Sequence, residues 1–258
     1  MQWLRPIARR ADAVARLICL PHAGGAASAF RSWTAEGSDV EVLAITLPAR
    51  EARIGEPAIL DVGALTEAIA QSADRPFALF GHSMGGVLGF EVTRRLRTLG
   101  AALPRRLWVA AALPPGERGP LVGAADLPDP QLIERLGAVG GMPADLLAEP
   151  AITALFLPAI RGDLRWLDGY PAPTDEPLPV PIHAIAAAGD PYASPEMMRG
   201  WQRHTTAAFQ PEVAQGGHFF PHEQAAALCA RVVSALVADV ASGPRQLDSG
   251  FPDASGSG

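Results

Sequence analysis

The chain has 258 residues, of which 48% are hydrophobic and 19% charged, and its formal net charge is −6. These values are typical of one large globular domain, and the acidic balance argues against a nucleic-acid-binding protein. No apolar run reaches the ~20 residues of a membrane span, and residues 1–15 lack a signal-peptide core. Cys19 and Cys229 lie in apolar surroundings and are expected to be buried free thiols. We therefore expect a cytoplasmic protein that does not bind a membrane.

Apolar runs of strand length alternate along the chain with segments of helical periodicity. The predicted strands are residues 17–20, 40–47, 77–80, 107–113, 182–188 and 210–214. The predicted helices are residues 62–72, 87–99 and 225–240, with another beginning near residue 26. Residues 1–16 are expected to be an irregular lead-in. This alternation predicts an α/β fold with a mostly parallel central sheet and helices on both faces.

One long stretch departs from the alternation. Residues 126–170 have helical periodicity without a strand, so we expect a helical lid insertion over about 124–172; the alternative is that these helices only add packing. We expect residues 1–241 to form a single domain. Residues 242–258 are rich in Gly, Pro, Ser and Asp, and we expect a disordered tail there.

The pentapeptide Gly81-His82-Ser83-Met84-Gly85 has the G-x-S-x-G spacing. It follows a short apolar strand and precedes a helical segment, which is the context of the nucleophile elbow in the α/β-hydrolase fold. In such a turn the flanking glycines leave room for a strained backbone that exposes the serine hydroxyl. An ordinary glycine-rich turn is the structural alternative. We expect Ser83 to be a nucleophile.

A serine nucleophile needs a base, and the base needs an orienting carboxylate. In this fold class the chain order is Ser, acid, His. His218, in a glycine-rich loop before the last helix, is the predicted base, and Asp190, directly after the strand at 182–188, is the predicted acid. A turn or helix-capping role is the alternative for Asp190. Asp163 and Asp168 lie in the expected lid and are less rigid partners.

The developing oxyanion needs backbone donors aimed at it. The N–H of Met84, directly after the nucleophile, is one candidate, and the N–H of Ala23 in His22-Ala23-Gly24-Gly25 is the other. We expect His22 to stabilise this loop by hydrogen bonding rather than to act in catalysis. No metal site is expected.

The combination of motifs resembles the type II thioesterases that accompany polyketide and nonribosomal peptide synthetases. The segments that carry the resemblance are LICLPHAGGAASAFRSW, LPARE, FGHSMGG, LPDPQLIERLGAVGG, LFLPAIRGDLRWLDGY, GDPYAS, WQRHT and GGHFF. The resemblance places the family's triad on Ser83, Asp190 and His218 and its oxyanion donors on Ala23 and Met84. Three departures stand out: Ala49 where the family usually has Gly in L-P-G-R, Ala110–Leu113 in place of a Ser-Gly-Arg-Arg-like segment, and Ala186–Ala188 without the usual glycines.

The resemblance implies an editing enzyme without a cofactor of its own. Its substrate would be an acyl or aminoacyl thioester on the phosphopantetheine arm of an acyl or peptidyl carrier protein. Lid side chains, among them Leu155, Phe156 and Ile160, would shape the acyl pocket, and we expect a monomer. Chain release is a variant within the family. The alternatives are a small-molecule carboxylesterase or lipase and, from another class, a non-catalytic partner that only docks carrier proteins.

Overall fold

A computed structural model describes residues 3–140 and 150–243. Seven strands form one sheet in the order β1-β3-β2-β4-β5-β6-β7, in which β1 is antiparallel to β3 and the other pairs are parallel. The strands are β1 (Leu4–Ala8), β2 (Ala15–Leu20), β3 (Val40–Ile45), β4 (Phe77–His82), β5 (Leu107–Ala110), β6 (Ile182–Ala187) and β7 (Phe209–Ala214). The predicted mostly parallel sheet is confirmed.

Helices cover both faces of the sheet because successive strand side chains point to opposite sides. Leu17 and Cys19 of β2 pack in the layer of the C-terminal helix, whereas Ile18 and Leu20 pack in the opposite layer. The helices are α1 (Val62–Gln71), α2 (Met84–Thr98), α3 (Asp129–Ala138), α4 (Pro150–Asp168), α5 (Pro195–Met198), α6 (Phe220–Glu223) and α7 (Ala225–Ala241). Both cysteines are buried and unpaired, as expected. No helix in the described ranges is long and apolar enough to cross a membrane.

The expectation of an irregular N-terminal lead-in is wrong for Leu4–Ala8. This segment is the edge strand β1, paired with β3 from Leu4 opposite Ile45 onward, and its register shifts between Pro6 and Ala8. Proline cannot donate to a strand ladder and is therefore found at edges and bulges. Because proline is rare in strands, Pro6 made this segment look irregular in the sequence. In the structure it lies in an edge strand, where a missing backbone N–H can be accommodated.

Two further predicted elements are shorter than expected. The strand at 107–113 ends at Ala110, because Ala111 has a positive φ of 47° that breaks the extended backbone. The helix expected to begin near residue 26 is a single 3-10 turn, Ala27–Phe30.

The elbow after β4 is packed closely against the neighbouring backbone. A Cβ added at Gly85 would overlap the carbonyl oxygen of Leu20, and one added at Gly81 would overlap the carbonyl of Gly85. Glycine therefore lets the start of α2 lie directly on the end of β2. This contact fixes the position of Ser83, which lies between Gly81 and Gly85 at the junction of β4 and α2.

The described part of the expected lid is helical. A 3-10 turn (Ala124–Asp126), α3 and α4 enclose a separate apolar cluster that includes Leu132, Leu136 and Leu164. Residues 141–149 of the expected lid and residues 244–258 of the expected tail lie outside the described residues.

A buried ion pair joins α4 to the body of the domain. Arg50 donates to both carboxylate oxygens of Asp163, at 2.7 and 2.8 Å, and both side chains are only 4% exposed. Arg50 also donates to the carbonyl oxygens of Pro48 and Gly25. Asp163 also accepts the Gly24 N–H at 2.8 Å. The helix and the loop after β2 are thus held together by one buried ion pair with several hydrogen bonds.

Replacing Gly85 by alanine should destabilise the protein by about 1–3 kcal/mol, because the added methyl group must displace backbone atoms. Gly55→Ala is the matched control, since a Cβ there meets no atom within 4 Å. Urea unfolding of the two variants measures the difference. Equal stabilities would contradict the close backbone approach at the elbow.

Asp163→Asn should lower the free energy of unfolding by about 3–5 kcal/mol, because it leaves the Arg50 charge buried and unpaired. The control is Asp126→Asn, which breaks another aspartate–arginine pair of α4, with Arg165. That pair is exposed, at 78% and 59%, and we expect about 0–1 kcal/mol. Denaturant unfolding of both variants provides the test, and a loss below 1 kcal/mol in Asp163→Asn would contradict a buried pair.

Candidate active site

Ser83 stands on the turn between β4 and α2. Its backbone has φ 55° and ψ −120°, outside the regions that ordinary residues occupy, and its N–H donates to Ala110 at 2.9 Å. Gly86 donates to the Ser83 carbonyl at 2.9 Å and closes the turn. The strained turn directs the Ser83 hydroxyl toward His218.

The structure brings the three side chains of the predicted triad into one hydrogen-bonded chain. His218 Nε2 lies 3.1 Å from Ser83 Oγ, and His218 Nδ1 lies 2.8 Å from Asp190 Oδ2. Because an ionised carboxylate can only accept, Nδ1 must be the protonated nitrogen, which leaves Nε2 as the acceptor facing the serine hydroxyl. This tautomer can remove a proton from Ser83.

Asp190 is held in its charged form. Burial acts to raise the pKa of its carboxyl group, but the hydrogen bond from His218 and those from the Tyr192 and Ala193 N–H groups outweigh burial and lower the pKa. A hydrogen bond from the Gly189 N–H to the Gly216 carbonyl, at 2.8 Å, ties the acid loop to the histidine loop. The distance between acid and base is therefore fixed by backbone contacts as well as by the side chains.

Both predicted oxyanion donors lie at the same place. Ala23 and Met84 line a cavity together with Ser83 and His218. Met84 is the first residue of α2, where N–H groups have no partner within the helix and the helix dipole favours negative charge. Gly24, next to Ala23, is fixed by Asp163. Both residues predicted to supply oxyanion donors therefore lie in the cavity wall that also contains Ser83.

The cavity has a volume of about 340 Å³ and a mostly apolar wall. Leu164 and Leu167 of α4 line it. The other apolar lining residues include Leu113, Pro114, Pro115, Leu121, Val122 and Pro171.

The three lid residues expected to touch substrate lie elsewhere in this structure. Leu155 and Phe156 are exposed, at 65% and 38%, and Ile160 is buried against Gly24. None of them lines the cavity. Helical periodicity predicts which residues of α4 share an apolar stripe, but it does not predict which turn of the helix lies next to Ser83.

Sequence reasoning missed the part played by His82. It is fully buried, and its Nε2 donates to the His218 carbonyl oxygen at 2.9 Å, which holds the loop that carries the base in place.

His22 and His222 lie beside His82, with 3.3 Å between His22 Nδ1 and His222 Nε2. Burial, followed by the neighbouring imidazoles, lowers the pKa of His82 well below its ordinary value and that of His22 to about 3. These rings are therefore neutral at pH 7. His22, His82 and His222 lie in three separate segments, PHAGG, GHSMG and FPHE. Nothing in these short sequences predicts that the three rings are in contact.

The arginines of α2 and the following loop pair within the chain. Arg94 and Arg97 both reach Asp175, and Arg95 reaches Glu91. Arg106 pairs with Asp239. These four arginines are therefore paired with carboxylates of the same chain.

Comparisons with known proteins agree with this geometry. The chain matches the family described as "Thioesterase domain" over residues 15–236. It is 34% identical, over 92% of its length and 67% of the relative's, to a probable cadicidin biosynthesis thioesterase of Streptomyces griseus.

Two solved structures are similar over most of the chain. The type II thioesterase BorB of the borrelidin cluster has a TM-score of 0.79 and 32% identity, covering 91% of this chain and 97% of BorB. RedJ, the thioesterase of the prodiginine pathway in Streptomyces coelicolor, has a TM-score of 0.76 and 36% identity, covering 89% of this chain and 91% of RedJ. The sheet order, the serine on its elbow and these similarities lead to one conclusion: the chain belongs to the thioesterase domain family of the α/β-hydrolase fold.

Proposed function

We propose that this protein is a serine thioesterase that hydrolyses acyl or aminoacyl thioesters carried on the phosphopantetheine arm of carrier proteins. Its role would be to remove stalled or aberrant groups from a polyketide or nonribosomal peptide synthetase. The observation that carries the proposal is the hydrogen-bonded chain from Asp190 through His218 to Ser83 at an apolar cavity. The relative and the solved neighbours named above are thioesterases of cadicidin, borrelidin and prodiginine biosynthesis, which supports this proposal.

In the first half of the reaction, Ser83 Oγ attacks the thioester carbonyl carbon while His218 Nε2 takes the hydroxyl proton. Asp190 stabilises the imidazolium that forms and keeps its ring in position. Negative charge develops on the carbonyl oxygen, where the N–H groups of Ala23 and Met84 would receive it.

In the second half, the pantetheine thiol leaves and water attacks the acyl-serine. A thiol has a pKa of about 8.5, so the sulfur needs far less help from an acid than an alkoxide would. His218 returns its proton to the leaving group, then activates the water, and Ser83 is released with the free acid. The chain needs no cofactor for either half of this reaction.

The cavity favours an apolar acyl group. Leu164, Leu167 and the proline-rich segment at 113–115 would surround the chain attached to the carbonyl. A carrier protein is the partner this requires, since the pantetheine arm must reach Ser83. We propose that the protein acts on such a partner as a monomer.

The proposal predicts faster hydrolysis of an acyl thioester on a carrier protein than of an oxygen ester with the same acyl chain. The measurement is kcat/KM for both substrates over a series of acyl lengths, with Ser83→Ala as the inactive control. A serine-directed phosphonate should label the parent and not the variant.

Other outcomes would favour the alternatives. A clear preference for the oxygen ester would favour a small-molecule esterase. Absence of both turnover and labelling in the parent would favour a non-catalytic carrier-protein-binding role.

Asp190→Asn should lower kcat by about 10³- to 10⁴-fold with little change in KM, because the amide no longer holds His218 in the tautomer that accepts a proton at Nε2. The control is Asp239→Asn, which removes an aspartate of α7 that pairs with Arg106. This variant should leave kcat unchanged. Single-turnover kinetics and a thermal melt of each variant separate a catalytic loss from unfolding. A kcat within tenfold of the parent would show that Asp190 is not the orienting acid.

A further inference from the structure

Three histidines meet in a cluster that the reaction does not use. The three are His22 in the loop after β2, His82 at the end of β4 and His222 in α6. Each offers one ring nitrogen, and these nitrogens lie within 4.8 Å of one another. His82 is fully buried, and its Nδ1 has no hydrogen-bond partner. Buried polar atoms are nearly always hydrogen-bonded, so an unpartnered one requires an explanation, and a bound ion is one that also accounts for the neighbouring imidazoles.

The tautomers of two rings follow from their backbone partners. His82 Nε2 faces the His218 carbonyl, which can only accept, so Nε2 carries the proton and Nδ1 keeps a free lone pair. His222 is bonded to the backbone of Ala29, while its Nε2 faces His22 Nδ1 at 3.3 Å. Metal-binding histidines are oriented in this way, with one nitrogen bonded to a carbonyl group and the other free to ligate.

The spacing also suits a metal ion. Two nitrogens bound at 2.0–2.1 Å in a tetrahedral site lie about 3.3 Å apart, which is the separation of the His22 and His222 nitrogens. The nearby positive charge of Arg50 is neutralised by Asp163. Phe219 packs its ring against all three imidazoles and supplies an apolar wall.

We infer that His22, His82 and His222 form a binding site for a divalent transition-metal ion of the Zn²⁺ class, with a fourth position for water or an anion. Neutral imidazole is a preferred ligand of such ions. The ion would bridge three segments that surround the proposed active site: the loop before Ala23, the residue before Ser83 and the helix after His218. Bound metal would stabilise the folded protein and limit the movement of these segments, as a regulatory ion outside the catalytic steps.

Titration of metal-free protein with Zn²⁺, in competition with a chromogenic chelator, should show one saturable site per chain. The same addition should raise the thermal midpoint of unfolding, since an ion that binds only the folded state stabilises it. Co²⁺ should give the visible absorption bands of a tetrahedral nitrogen site, which a purely structural histidine would not produce.

His222→Gln should weaken Zn²⁺ binding by about tenfold or more and abolish the metal-dependent rise in melting temperature. His204→Gln, which removes a buried histidine outside the cluster, is the matched control and should retain both. If His222→Gln does not fold, His22→Gln replaces it. Absence of saturable binding in the parent, or equal binding in parent and His222→Gln, would overturn the site and leave a hydrogen-bonded histidine cluster.

Discussion

The position of the serine depends on the close backbone contact between the start of α2 and the end of β2. Gly85 lies where any side chain would collide with the Leu20 carbonyl, and Gly81 lies where one would collide with Gly85 itself. Since α2 cannot move away without losing its packing on the sheet, the residue between the two glycines is forced into the strained conformation seen at Ser83. The orientation of the serine hydroxyl is therefore a consequence of packing, and the histidine and acid loops are built around it.

A second constraint couples α4 to the loop that carries Ala23. Asp163 neutralises Arg50 and holds the Gly24 N–H, so one carboxylate serves an ion pair and the backbone of the proposed oxyanion site. Breaking such a pair is costly because a charge would remain in a buried place. Movement of α4 away from the domain would therefore also disturb the loop that carries Ala23. The ion pair therefore links α4, which lines the cavity, to the loop of the proposed oxyanion site.

Two alanines that depart from the family pattern have left-handed backbone conformations in the structure. Ala49, where the family usually has glycine, has a φ of 61°, and Ala111, within the altered segment after β5, has a φ of 47°. A left-handed conformation costs a non-glycine residue about 1–2 kcal/mol. Ala49 directly precedes Arg50 and is held by a hydrogen bond to the Arg53 carbonyl at 3.0 Å. This chain therefore keeps the turn shape with alanine and accepts local strain.

The sequence by itself determined the features that depend on local order along the chain. Strand, glycine turn and helix located Ser83; a loop after β6 located Asp190; and a glycine-rich loop before α7 located His218, because the ends of parallel strands meet at one edge of the sheet. Only the tertiary structure showed that Asp163 pairs with Arg50 and that Leu164 and Leu167, rather than Leu155 and Phe156, line the cavity. It also showed that three histidines from separate segments meet in one cluster. These are contacts between segments up to 200 residues apart, as for His22 and His222. Such contacts depend on how whole elements pack, and a periodic pattern records only which face of an element is apolar.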